Sequence, residues 1–148
     1  MDTKNRYHTD STYLHERLEQ VAVVIICAVL TLMHVHELNW WRFIAAFLII
    51  DLIGYIPGAV AFHRHGGGRI PPVYHYLYNI THSYLTAVLL VGLWAIAIGR
   101  FEWAMMAFPI HLSGDRGIFG NIFKPIVLHF EPVETAPPQA IGRASGAD

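Results

Sequence analysis

The chain has 148 residues, ten basic and eleven acidic, and a formal net charge of -1. It is 54% hydrophobic and only 14% charged, with the apolar residues gathered in long blocks, which argues against a soluble globular domain and against a nucleic-acid binder. Spans of roughly 20 apolar residues use up most of the length, leaving room for one domain, and a single cysteine, Cys27, excludes an intramolecular disulfide.

Residues 1–12 read as a polar tail in which Asp10, Ser11 and Thr12 are candidate helix caps. The tail is acidic as well as basic and leads to no small-residue cleavage site, so the segment is expected to be retained. The apolar run from Val21 to Met33, continuing towards Leu38, predicts a first helix over 13–38. Trp40, Trp41 and Arg42 have the character of an interfacial anchor and open a second helix over 41–62, with a kink expected where Asp51, Gly54 and Pro57 interrupt it. A polar loop containing Gly66, Gly67 and Gly68 is stopped by Pro71 and Pro72. It lacks the Lys and Ser/Thr of a phosphate loop, so nucleotide binding is not expected. A third helix is predicted over 74–98 and a fourth, carrying Pro109, over 101–120; residues 125–148, rich in Pro, Ala and Gly, read as a disordered tail.

These elements predict an all-α fold, a polytopic membrane four-helix bundle over 13–124. Lys4, Arg6, Arg17, Arg64, Arg69, Arg116, Lys124 and Arg143 fall on one side of it and only Arg42 and Arg100 on the other, which predicts both termini cytoplasmic. A multi-pass protein of a bacterial inner membrane, in contact with membrane lipids, is the expectation.

Charged and polar groups inside the predicted helices ask for partners, because an aspartate at the centre of a membrane helix costs about 2.5–3.5 kcal/mol on insertion scales. At 100° per residue His75, Asn79 and His82 share one face of the third helix; His111 and Asp115 stand one turn apart on the fourth. With Asp51 from the second helix and Glu19 from the first, three carboxylates and two imidazoles converge on one axis. That donor set suits a divalent transition metal: zinc, iron or manganese. Glu19, Asp51, His82, His111 and Asp115 are the predicted ligands, Glu19 and Asp115 doubling as candidates for a general base, while Asn79, His75 and Tyr78 would orient them. The competing reading is a metal-free hydrogen-bonded network that locks helix packing. His34, His36 and Glu37 read as a hydrated interfacial group instead.

The pieces Arg17-Leu18-Glu19, Asp51 with Gly54-Tyr55, Tyr78-Asn79-x-x-His82 and His111-x-x-x-Asp115-Arg116-x-x-Gly make the chain resemble a bacterial family of small four-helix integral membrane proteins of unknown function. The resemblance covers roughly residues 17–124. It implies the four-helix fold and one shared site of Glu19, Asp51, Asn79, His82, His111 and Asp115. A looser similarity to membrane-bound metal-dependent hydrolases implies a reaction.

Three functions follow as expectations. A metal-dependent hydrolase would act on a lipid-like ester or phosphoester; a di-iron oxidase would need the same ligands. A non-catalytic accessory subunit or ion-coupling protein, in a homo-oligomer or larger membrane complex, would use the polar groups as a relay or structural network. A haem-binding electron carrier would clamp the cofactor between His82 and His111.

Overall fold

A computed structural model describes residues 9–132, which are helical with no strand among them. The helices are α1 (Asp10–Met33), α2 (Trp40–Gly54), α3 (Ile56–Arg64), α4 (Pro72–Thr81), α5 (Tyr84–Ile98) and α6 (Ala107–Gly114). Single 3-10 turns at Val35–Glu37 and Trp103–Met106 and a π-helical segment at Asp115–Phe119 complete the order. The all-α expectation therefore holds for these residues, while the four expected helices are broken into more pieces.

Helix α1 starts earlier than the sequence pattern suggests. Thr9, just outside the candidate caps, accepts from the backbone N–H of Thr12, and Thr12 Oγ1 accepts in return from the N–H of Thr9. This reciprocal capping satisfies two donors that the first turn would leave bare. The helix ends at Met33, short of the expected 38.

Asn39 caps α2 by accepting from Arg42 N at 3.1 Å. The expected interruption falls between Gly54 and Ile56, because Pro57 has no N–H to give to the carbonyl four residues back. Trp40–Arg64 is nonetheless one run of 25 residues, long and apolar enough to cross a membrane by length and composition. The predicted third helix is two helices, α4 and α5, bent by 56° at His82–Ser83. Together they also meet the length and hydropathy of a span. Ser83 restarts the chain as α5 by accepting from Leu85 N at 3.2 Å. The predicted fourth helix begins at Trp103 as a 3-10 turn, becomes α-helical at Ala107 and widens to a π-helix after Gly114.

Helix α6 is the axis of the fold, with Ala107, Phe108, His111, Leu112 and Ser113 all buried. Ala46 and Ile50 of α2 and Ala87 of α5 complete the apolar cluster around it. Helix α1 is fastened at the opposite side by polar contacts. Arg17 donates from Nε to the Gly117 carbonyl at 3.0 Å and from Nη2 to the Ile118 carbonyl at 2.8 Å, carbonyls of the π-helical segment. Tyr84 Oη lies 2.6 Å from Gln20 Oε1, to which it donates, and 2.5 Å from Ser113 Oγ. At the far end Arg42 and Arg100 share Glu102, and Trp103 donates to Glu37 at 3.3 Å and stacks on His34. The two arginines that the charge count sets apart thus sit together, away from Arg17 and Arg116.

Gly117 lets α1 reach the π-helical segment: a Cβ there would stand 2.8 Å from the backbone N of Val21. Gly117→Ala is expected to destabilise by about 1–3 kcal/mol, as overpacking against rigid backbone does. Gly92→Ala, where a Cβ meets nothing within 4 Å, should be neutral or stabilising by up to about 1 kcal/mol. Thermal denaturation of the two variants in detergent checks the contrast.

Candidate metal centre

The breaks in the helices bring the polar residues together. Asp51 comes from the last turn of α2, His82 from the corner between α4 and α5, His111 from the buried face of α6, and Asp115 from the first position of the π-helical segment. His82 Nε2 lies 3.3 Å from Asp51 Oδ1 and 3.2 Å from Asp115 Oδ2. His111 Nε2 lies 3.6 Å from each of the same two oxygens.

His82 Nδ1 is 3.0 Å from the Tyr78 carbonyl oxygen, which can only accept. Nδ1 therefore carries a ring proton, and Nε2 is turned towards the two carboxylates. This is how a metal-binding histidine is held, by a carbonyl on the far nitrogen. The corner that aims it is secured from behind: Arg116 donates to the His82 carbonyl at 3.1 Å, its guanidinium lying 4.4 Å over the Tyr84 ring. The Tyr78 ring stacks on the imidazole at 3.9 Å and 14°. A Phe47 edge meets the His111 ring at 4.6 Å. Gly54 permits α2 to sit against the corner, since a Cβ there would overlap Thr81 and reach 3.2 Å from the His82 ring.

Both imidazole Nε2 atoms are buried, and neither has a hydrogen-bond partner. Convergence without hydrogen bonding is the pattern of ligands around a shared ion: four ligands at 2.0–2.1 Å from zinc stand roughly 3.3–3.4 Å from one another. Asp51, His82 and His111 form the compact set, their ligand atoms all within 4.8 Å of one another. Two histidines and one carboxylate of this kind can hold a metal ion. Asp115 touches both imidazoles but lies outside that mutual set.

Other predicted members stand elsewhere. Glu19 is exposed and lines a separate pocket of about 190 Å³ with Arg17, Gln20 and Arg116. At that level α1 turns Arg17, Gln20 and Val21 inward, and Glu19 lies a helical step away, so it is neither ligand nor base here. His75 is buried, edge-on to Phe130 at 5.4 Å, in a second cluster on the far side of Tyr78. Asn79 does not orient a ligand. Its side chain pairs with the Lys124 backbone, donating to the carbonyl at 3.0 Å and accepting from the N–H at 2.8 Å. Of the three orienting residues expected, Tyr78 alone touches a histidine of the set.

Asn79 and His75 instead hold a strap, residues 121–132, that begins after the π-helical segment. Phe130 is 2% exposed and fills a slot over Gly58, where a Cβ would come within 2.3 Å of its ring. Lys124 Nζ donates to the Phe130 carbonyl at 2.6 Å and sits against the faces of Tyr55, Tyr78 and Phe130. Burial pushes the Lys124 ammonium below the usual lysine range, and Glu131, 3.3 Å away, opposes that shift. Of the expected disordered tail, Phe130 is buried and Glu131 part-buried, while 125–129 and Pro132 are exposed; 133–148, like 1–8, lie outside the described residues.

Sequence reasoning gave Arg116, Phe47 and Gly54 no part in holding the histidines. The signal for Phe47 and Gly54 was present, since each lies about a turn from Asp51 on one face of α2. Comparison with family models, curated proteins and solved structures finds no match.

Asn79→Ala should loosen the strap by about 1–3 kcal/mol, the cost of unpairing buried backbone groups. Faster amide exchange across 121–132 with an unchanged metal content would establish that Asn79 serves the strap.

Proposed function

We propose that the protein is a multi-pass membrane protein with its termini on the cytoplasmic side, and that Asp51, His82 and His111 hold a divalent transition metal for hydrolysis of a lipid-like ester or phosphoester. The observation that carries this reading is the pair of buried imidazoles whose Nε2 atoms stand 3.2–3.6 Å from two carboxylates with no hydrogen bond to them.

Three protein ligands leave a coordination position open, as in catalytic zinc sites with two histidines and a carboxylate. A bound ion would acidify a water there and polarise the ester. Asp115, close to both imidazoles but outside the compact set, would accept the proton of a water that adds to the carbonyl carbon or phosphorus as the ester C–O or P–O bond breaks. It would return that proton to the departing alkoxide, so that ester and water become acid and alcohol. His82 and His111 are held rigidly for this by the Tyr78 carbonyl and the Phe47 ring.

One observation favours a second reading. Two histidines and one carboxylate with open positions also suit iron(II) and oxygen chemistry. Metal identity separates the two.

Elemental analysis of untagged protein is expected to find near-stoichiometric metal, zinc or manganese for hydrolysis and iron for the alternative. His82→Ala and His111→Ala should each lower metal affinity by at least about tenfold, while Glu19→Ala and His34→Ala leave it unchanged. Equal metal content in all four variants, or none in the wild type after reconstitution, would return the cluster to a structural polar network.

A further inference from the structure

The metal centre has one open side. The His82 and His111 side chains are 2% and 4% exposed, Asp115 is 19% exposed, and Asp51 is 37% exposed. Whatever reaches the centre passes Asp51.

The surface around Asp51 has a definite character. At 100° per residue Ile44, Leu48, Asp51 and Tyr55 fall within an arc of roughly 60° along α2 and its continuation. Ile44 and Leu48 are 44% and 48% exposed. The opposite flank, Ile49, Ile50 and Ile53, faces α5 across an apolar groove. Asp51 reaches inward to His82 and His111, while Ile44 and Leu48 on the same side of α2 stay exposed among the described residues. At its lower end the flank turns polar, because Tyr55 meets Lys124 of the strap.

A half-open carboxylate on an apolar span requires a polar or hydrated partner, while the residues one and two turns above it require apolar cover. An amphiphile satisfies both at once. A water-soluble substrate would have to reach a carboxylate set among lipid-facing side chains, and a second copy applied there would strand the carboxylate. We propose that this flank is the substrate entrance, open sideways to the bilayer, and that the substrate is an acyl lipid with its ester or phosphoester head at Asp51 and its chain over Leu48 and Ile44. The inference rests on the metal-centre reading and adds the route and the substrate class.

The test uses the full chain loaded with cobalt(II) in phosphatidylcholine vesicles, the probe being dodecanohydroxamic acid, a metal-chelating head on an acyl chain. Binding is read from the visible absorption of cobalt. Leu48→Trp should raise the apparent Kd by about tenfold or more, the loss of roughly two buried methylenes' worth of contact. Leu89→Trp, on the exposed face of α5, should change it less than about twofold, and both variants partition the probe alike. If Leu48→Trp takes up no cobalt, Ile44→Trp replaces it. Equal probe affinity in all proteins overturns the entrance. So does a cobalt band that responds to acetohydroxamic acid as strongly as to the dodecyl probe, or a cross-linked dimer that Leu48→Trp dissociates. Failure of the wild type to bind cobalt is seen before any probe is added and overturns the metal centre itself.

Discussion

A carboxylate placed on an apolar helix must be compensated where it stands, and the architecture around Asp51 follows from that requirement. Helix α2 carries no other charge between Arg42 and its end. The counter-groups come from elements that cannot be straight. The corner at His82–Ser83 swings an imidazole towards Asp51, and the widening after Gly114 places Asp115 at the start of a π-helical segment. Such widened turns are costly irregularities that proteins retain mostly at functional sites. Buried charge of this kind is a poor source of stability. Its presence at the junction of three irregular elements argues for retention by function.

The irregular elements are themselves secured by long cationic side chains from the same end. Arg116 holds the corner, Arg17 satisfies two carbonyls of the π-helical segment, and Lys124 anchors the strap among three aromatic rings. Each donates to backbone carbonyls. Helix ends and widened turns leave such acceptors unpaired, and each arginine or lysine stem also covers apolar surface. The polar end of the molecule is therefore a scaffold for the centre, whereas the opposite end, where Arg42 and Arg100 converge on Glu102, has no contact with it.

Hydropathy made the helices legible and charge made the site legible, for different reasons. A membrane-length apolar run such as Trp40–Arg64 is written directly in composition, and so were Asp51, His82 and His111, which stand out because they violate it. The corner at His82 could not be read, since no proline or glycine marks it; it is produced by Ser83 capping and by Arg116, 34 residues away. Glu19 shows the opposite failure. Its charge and depth suited a ligand, but helical phase depends on what α1 packs against, and Arg17 and Gln20 claimed the inward face. Asn79 shared a face with His82 as expected, yet the strap it binds is encoded beyond the last predicted helix, where composition suggested disorder.

Helix α5 buries only Ala87. Tyr84, Val91 and Trp94 rest part-buried against the core on that same side, but Leu85, Val88, Leu89, Leu93 and Ile96 face outward, so the physical demand on these is to be apolar and helical, and many exchanges among Leu, Ile, Val and Ala would cost little. Over evolutionary time such a segment drifts quickly within a narrow alphabet. The corner, the centre and the glycines at 54, 58 and 117 are under steric demands that admit almost no drift. Kinship for a chain built this way is carried by a few short, widely spaced words, and the lengths of apolar text between them hold almost no ancestral information.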